Sequence, residues 1–319
     1  MLVRIAIAAV LALAAGVATA QAWPAKAVRF VVPFPPGGAT DVAARALADK
    51  LAAAFGQQVV VENRAGGGGA IGAAEVARAA PDGYVLLFTA DPMTTQHLVV
   101  KALPYDVMRD FVPVTQVTIQ PIAIAVHPSV GASTIQEFVA LAKASPGKYS
   151  FAHSGTGSGQ HMAGELFKRR AGIDMVDIPY RGGGPAVADL LGGQVLVGVL
   201  GSTPLAPNHK AGRVRILAFT TKDRFALLPE VPTLNESGFP GFDISQWLGI
   251  FAPAGTPRPI VDRIQQDVAA ALKLPDVVER LARGALAPVG STPGEFAALI
   301  KADLERWGGV AAAIGLQPQ

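Results

Sequence analysis

The chain has 319 residues, of which 50% are hydrophobic and 16% are charged, and its formal net charge is +3. This composition excludes a disordered chain, provides enough length for one or two globular domains, and lacks the basic tracts interleaved with aromatic residues that typify nucleic-acid-binding proteins. The absence of cysteine excludes disulfides, thiolate zinc sites and cysteine nucleophiles.

The first 22 residues have the pattern of a secretory signal peptide. Met1–Arg4 is short and basic, residues 5–18 are apolar, and the small residues of "ATAQA" allow cleavage after Ala20 or Ala22. The apolar stretch is shorter than the roughly 20 residues of a membrane-spanning helix, which argues against a transmembrane anchor. The sequence therefore predicts a soluble protein that is exported to the periplasm and loses residues 1–22.

Strands and helices alternate through the rest of the chain. Apolar runs rich in Val, Leu and Ile predict strands, and apolar residues at helical spacing predict helices. The predicted strands are 28–32, 58–62, 84–89, 149–153, 175–179, 195–200 and 214–220. The predicted helices are 39–55, 66–80 after a glycine-rich turn, 133–145, 157–172, 184–193, 257–272 and 293–311. This order predicts an α/β fold, with parallel strands covered by helices on both faces.

Two longer segments, residues 112–126 and 245–257, interrupt the alternation. The first contains Pro113 and Pro121, and prolines confine such a segment to a sheet edge or to a crossing between domains. We therefore predict two α/β lobes that are joined by two crossings and enclose a hinged cleft. The C-terminal helices have no strands of their own and are expected to pack on the first lobe. The predicted division is residues 23–122 plus 248–319 for lobe 1 and residues 123–247 for lobe 2.

Glycine-rich turns follow a predicted strand and precede a predicted helix at three places. They are "PFPPGGATD" (33–41), "SGTGSGQH" (154–161) and "PYRGGGPAV" (179–187). Free N–H groups at a helix start attract anions, so two such turns facing each other would hold a carboxylate from both sides. Each turn could also be an ordinary tight turn with a helix cap.

Nucleotide-binding motifs do not account for these glycines. No glycine is followed by Lys-Ser or Lys-Thr, which a Walker loop requires. Gly67-x-Gly69-x-x-Gly72 has the form of a dinucleotide fingerprint, but four consecutive glycines match such a pattern by chance.

A secreted α/β hydrolase is the main enzymatic alternative. Ser158 and His161 could be its nucleophile and base, although the residues around Ser158 do not form G-x-S-x-G and no acid partner is evident. His161 is otherwise expected to be a helix cap or a ligand contact. The five histidines lack the spacing of common metal-binding motifs, so no metal or other cofactor is predicted.

Longer segments of the chain resemble the Bug, or TctC-like, periplasmic solute-binding proteins of tripartite tricarboxylate transport systems. They include "WPAKAVRFVVPFPPGGATDVAARALADKL", "VENRAGGGGAIGAAEVARAAPDGYVLL", "LPYDVMRDFVPV", "GELFKRRAGIDMVDIPYRGGGPAVADLLGGQV" and "WLGIFAPAGTPRPIVDRI". The resemblance implies a two-lobe Venus-flytrap fold without catalysis, which holds a small organic acid or amino acid between the first two turns. It also implies a monomer that is recognised by a membrane transporter, although a sensory module read by a membrane receptor is a further alternative.

The resemblance also places the ligand-binding residues in the three glycine-rich turns. They are Phe34, Pro35, Gly37, Gly38, Thr40 and Asp41 in the first turn, Ser154, Gly155, Thr156, Gly157, Ser158 and His161 in the second, and Tyr180, Arg181 and Gly182 in the third. From its position, Asp41 is expected to cap or pack the first helical turn.

Two strand ends depart from the usual family pattern and are added to the predicted site. Leu200 stands where many relatives carry an acidic or small polar residue. Asp91 follows the strand 84–89, where relatives commonly carry small or neutral polar residues. Asp91 is expected either to cap the following short helix or to contact a hydroxyl or cationic group of the ligand. The second interpretation favours an amino acid or amine-bearing acid over a plain dicarboxylate.

Overall fold

The computed structural model describes residues 23–180, 182–284 and 286–318, so the predicted signal peptide and Arg181 lie outside the described residues. The strands are β1 (Val28–Val32), β2 (Val59–Asn63), β3 (Val85–Ala90), β4 (Phe111–Val126), β5 (Ser150–His153), β6 (Val176–Pro179), β7 (Val197–Gly201), β8 (Arg215–Phe219), β9 (Ser245–Pro253) and β10 (Ala287–Pro288). The α-helices are α1 (Ala39–Phe55), α2 (Ala70–Ala77), α3 (Pro92–Thr95), α4 (Val107–Asp110), α5 (Ile135–Ala144), α6 (Gly159–Ala171), α7 (Gly183–Leu191), α8 (Ser202–Lys210), α9 (Arg258–Ala271), α10 (Pro275–Arg283) and α11 (Pro293–Ile314).

The strands form one curled sheet in the order β2-β1-β3-β9-β4-β7-β5-β6, with β8 and β10 also paired to β4. Strands β1, β2 and β3 are parallel to one another, as are β5, β6 and β7. The antiparallel pair β4 and β9 stands between these two groups. The predicted α/β class with two lobes is confirmed.

Strand β4 contributes to both lobes. It pairs with β9 over Phe111–Pro121 and with β7 over Ile122–Val126. Its prolines occupy places where a ladder hydrogen bond is not required. Pro113 stands at a register shift, and Pro121 is the last residue paired with β9 before β4 changes partner.

Helix α11 also spans both lobes. Phe296 and Ile300 near its start are buried with Trp247 in a core of the first lobe. Trp307 and Val310 near its end are buried in a core of the second lobe. The expectation that the C-terminal helices pack on the first lobe therefore describes only part of α11, and the exact residue boundaries of the lobes stay a prediction.

None of the helices in the described part of the chain is both long enough and apolar enough to cross a membrane.

Candidate ligand-binding site

The carboxyl ends of the two parallel strand groups face each other across the junction of the lobes. The end of β3 is level with β4 at Thr118, because Ala90 pairs with Leu248 and Leu248 pairs with Thr118. The end of β7 is level with Ile122, through the pair Ile122–Gly201. Strand β7 runs antiparallel to β4, whereas β3 has the same direction as β4. Four residues along a strand correspond to about 13 Å, so the facing strand ends are about that far apart along β4.

Asp41 organises the first glycine-rich turn. Its buried carboxylate accepts hydrogen bonds from the Gly37 N–H at 2.9 Å, the Arg45 Nε at 3.0 Å and the Asn63 Nδ2 at 3.0 Å. Burial alone would raise the pKa of Asp41, but these hydrogen bonds outweigh it and the pKa is lowered. Asp41 therefore packs in the first helical turn as expected, and its main role is to fix the turn.

Helix α1 begins with unused donors at this turn. Gly37 does not offer a free N–H, contrary to the expectation, because Asp41 accepts it. The N–H groups of Gly38, Ala39 and Thr40 have no acceptor among the described residues, and Gly38 and Ala39 are exposed. The 17-residue helix behind them adds its dipole, so this end of α1 can bind an anion. Phe34 and Pro35 precede these donors, the first half-buried and the second exposed.

The second turn uses most of its N–H groups internally. The Ser154 N–H donates to Gln160 Oε1 at 3.0 Å, the Gly157 N–H to His161 Nδ1 at 3.1 Å, and the Ser158 N–H to the Gly155 carbonyl at 3.0 Å. This turn is thus a rigid structure rather than a row of free donors. Thr156, its exposed member, is the predicted contact best placed to reach a solute.

The geometry does not support the hydrolase. The Ser158 hydroxyl accepts a hydrogen bond from the His161 backbone N–H at 3.2 Å and caps α6. The ring Nδ1 of His161 accepts from Gly157, and its Nε2 faces Asp177. A serine nucleophile needs a ring nitrogen as its base, and neither nitrogen of His161 is hydrogen-bonded to Ser158.

The third turn is joined to the second. The Gly182 N–H donates to the Ser154 carbonyl at 3.2 Å, and the Tyr180 N–H donates to the His153 carbonyl at 3.0 Å. The Tyr180 hydroxyl donates to Asp189 at 2.7 Å, so this side chain is already engaged. We interpret the third turn as support for the second one.

Leu200 corrects the sequence-based site. Its side chain is fully buried in an apolar core of the second lobe, together with Ala186 and Leu190. It has no surface to offer a ligand.

A sequence model of the family described as "Tripartite tricarboxylate transporter family receptor" matches residues 43–316. The chain belongs to this receptor family. BugT of Bordetella pertussis is 39% identical over 294 residues, which cover 92% of this chain and 90% of BugT. The solved structure of Rpa4515 from R. palustris with adipate is 33% identical, has a TM-score of 0.81, and covers 93% of this chain and 100% of the other. The solved structure of MatC from Rhodopseudomonas palustris with bound malate is 32% identical, has a TM-score of 0.76, and covers 91% of this chain and 100% of MatC.

These comparisons confirm the predicted solute-binding function. Family members are periplasmic binding proteins rather than enzymes, and they serve as receptors of tripartite transporters.

Asp91 is a buried acid of this receptor whose pKa is far above its ordinary value. It occupies the N-cap position of α3, but its side chain makes no capping hydrogen bond, so the capping interpretation is wrong. Burial and the nearby charge of Asp303 raise the pKa of Asp91 to about 7. A β-carbon added at Gly159, the first residue of α6, would lie 2.7 Å from Asp91 Oδ2, so Asp91 touches the second lobe. Contact with a hydroxyl or cationic group of the ligand stays a prediction.

The sequence reasoning overlooked three glutamines at the receptor's lobe junction. Gln120 of β4 pairs with Gln246 of β9, and the Gln246 Oε1 accepts from Gln160 Nε2 at 3.2 Å. The Gln160 Oε1 also accepts a hydrogen bond from the Ser154 N–H, so hydrogen bonds connect the second turn to β9 beneath the cleft. With its amide oxygen facing α8, Gln120 accepts from the Thr203 N–H at 2.9 Å and caps that helix. The available signal was the presence of polar residues such as Gln120 and Gln246 in crossing segments that are largely apolar.

Proposed function

We propose that this receptor captures a small carboxylate in the cleft between its lobes, in the periplasm, and presents it to a membrane transporter without chemical change. The observation that carries the proposal is the set of free N–H groups of Gly38, Ala39 and Thr40 at the start of α1. Relatives that were solved with adipate and malate support this class of ligand.

Capture follows from the arrangement of the donors. One carboxylate accepts from the N–H groups of α1, and charge-assisted hydrogen bonds to such fixed donors are stronger than neutral ones. The charges next to these donors are balanced, because Arg45 pairs with Asp41. The second turn closes over the solute and brings Thr156 and Ser154 to it. Closure then stabilises the bound state by the difference in affinity between the two conformations.

The two facing strand ends favour diacids, because one carboxylate can be held at each end of the cleft. The closed conformation that the transporter recognises is proposed to be that of a single chain, since all three turns come from one copy.

The substitution Ala39→Pro tests the anion site. Proline removes one N–H at the first helical position, where it is otherwise tolerated. Gly38 has φ −75° and ψ 169°, the extended conformation that a residue before proline needs. We expect about a tenfold loss of affinity for malate or adipate in calorimetry, the usual effect of losing one charge-assisted hydrogen bond.

Ala39→Ser is the matched control, because it keeps the N–H and should bind as tightly as the unaltered chain. Equal affinities of the proline and serine variants would contradict the proposed anion site. Failure of the unaltered chain to bind any of a panel of di- and tricarboxylates would contradict the ligand class.

A further inference from the structure

Three side chains of the second lobe converge beside the second turn, and the proposed function uses none of them as a group. His153 ends β5, His161 lies in the first turn of α6, and Asp177 lies in β6. The two rings are stacked with their centroids 4.6 Å apart. Asp177 Oδ2 lies 3.5 Å from His153 Nε2 and 3.7 Å from His161 Nε2. The parallel pairing of β5 with β6 produces this cluster, which the spacing along the sequence does not reveal.

Ordinary hydrogen bonding does not account for these contacts. Both distances exceed those of protein N–H···O hydrogen bonds, which lie between about 2.7 and 3.2 Å. His153 Nδ1 lies 3.0 Å from the Gly155 carbonyl and 3.3 Å from the Gly155 backbone nitrogen, so it can donate to the first or accept from the second. His153 Nε2 is buried and has no hydrogen-bonding partner among the described residues. With the ring proton on Nδ1, the buried lone pair of Nε2 faces the Asp177 carboxylate, and a cation between them would satisfy both groups.

The separations of Asp177 Oδ2 from the two ring nitrogens fit a shared metal ion, and all three ligand atoms lie within 4.8 Å of one another. Ligand atoms about 2.1 Å from a tetrahedral Zn²⁺ are about 3.4 Å from one another. We propose that His153 Nε2, His161 Nε2 and Asp177 Oδ2 bind one divalent transition-metal ion of the Zn²⁺ class. The hydrogen bond from His153 Nδ1 to a backbone carbonyl is the usual outer support of a metal-binding histidine.

The surroundings permit the ion to enter. His161 and Asp177 line a cavity of about 400 Å³ whose other walls include Thr156, Glu165 and Lys168. The Lys168 ammonium is already paired with Glu165 Oε1 at 2.7 Å, so its charge is balanced. A water molecule from this cavity can complete the coordination, because Asp177 is exposed on that side.

Ion binding has a consequence for the second turn. The Gly157 N–H donates to His161 Nδ1, which places the ring proton of the free protein on Nε2. A metal on Nε2 moves that proton to Nδ1, and the Gly157 N–H then loses its acceptor. This loss opposes binding, so we expect micromolar rather than tighter affinity. The released N–H lies within the turn that faces the solute, so an ion would alter the donors available there.

Titration of the mature chain without an affinity tag tests the site. Zn²⁺ binding is measured by calorimetry, and Co²⁺ serves as a spectroscopic probe. We expect one ion per chain and the visible absorption bands of four-coordinate Co²⁺. The variants His153→Gln and Asp177→Asn should each bind at least tenfold more weakly. Asp177 is partly exposed, so its variant keeps the test valid if the histidine variant does not fold.

His97→Gln is the matched control, because His97 is exposed and lies outside the cluster. It should bind both ions as the unaltered chain does. The absence of saturable binding, or equal binding by all four proteins, would overturn the proposal. The test requires no organic ligand, so it can succeed or fail independently of the proposed carboxylate capture.

Discussion

At the scale of single residues, Asp41 shows how one buried carboxylate can position a turn. Its substitution by asparagine keeps the shape but removes the charge that holds Gly37, Arg45 and Asn63. We expect a loss of about 1–3 kcal/mol in the free energy of unfolding at pH 7, measured by urea denaturation. Asp49→Asn, an exposed position of the same helix, should have little effect.

The lowered pKa of Asp41 determines how this difference in stability changes with pH. The pKa of folded Asp41 lies below its ordinary value of 3.8, so its stabilising contribution is present above that pH. The contribution is lost as the pH falls through the lowered pKa, and the two proteins should then converge in stability. A difference that persists unchanged in acid would show that the charge is not responsible.

The raised pKa of Asp91 predicts the opposite dependence of stability on pH. Its pKa is about 7 in the folded protein and 3.8 as its ordinary value, so the folded state alone holds the proton between these limits. Stability should therefore fall as the pH rises from 3.8 to about 7. Asp91→Asn removes this dependence and should be more stable than the unaltered chain at pH 8, by up to roughly 4 kcal/mol. Thermal unfolding of both proteins between about pH 4 and pH 8 measures it, and parallel curves would contradict the buried, unpartnered state of Asp91.

The sequence locates the turns but not the use of each group within them. Gly38 and Thr40 can be assigned from the strand–turn–helix pattern and the family resemblance. The orientation of the Asp41 carboxylate, which accepts the Gly37 N–H, cannot be assigned in this way, because Asn63 of another strand helps to hold it. Leu200 failed for a related reason: both faces of β7 are buried, so alternation along the strand does not show which side a residue faces.

At the scale of elements, the apolar periodicity predicts the sheet and most long helices well. It misses α8, whose sequence "STPLAPNHK" has two prolines and reads as a loop. Tertiary contacts compensate, because Gln120 caps the helix start and the Asn208 amide donates to the Pro204 carbonyl. Helix α10 was also missed, although its buried residues Val277 and Leu281 are spaced four apart, as in a helix.

The contact between β9 and α11 yields an element-scale prediction. A β-carbon at Gly249 would lie 2.3 Å from Phe296 Cζ, whereas one at Gly308 of α11 would meet nothing within 4 Å. Gly249→Ala should therefore destabilise the fold by about 1–3 kcal/mol through overpacking. Gly308→Ala should stabilise it by roughly 0.5–1 kcal/mol, because alanine favours a helix interior. Chemical denaturation of the two variants measures both changes in the free energy of unfolding. Equal changes would contradict the close packing of β9 on α11.

At the scale of the whole molecule, β4, β9 and α11 connect the lobes, and the second turn also contacts the first lobe directly. Val99 of the first lobe lies against Gly157 of the second, since a β-carbon at Gly157 would be 2.5 Å from Val99 Cγ1. The contact is made between the second turn and the segment after α3, so we expect the two lobes to form it when the cleft closes. Bulk added here should oppose closure without disturbing either core.

Gly157→Ala should therefore weaken the binding of malate or adipate at least tenfold. Gly157 has φ +75°, so alanine also strains the turn, but that strain is present in the open and closed conformations alike. Val99→Ala removes both obstructing methyl groups, so the double variant should recover most of the affinity while Val99→Ala alone changes it little. Calorimetry on the four proteins gives the coupling between the two sites. Additive losses in the double variant would mean that closure does not bring Val99 and Gly157 together, because only an overlap between their side chains predicts recovery.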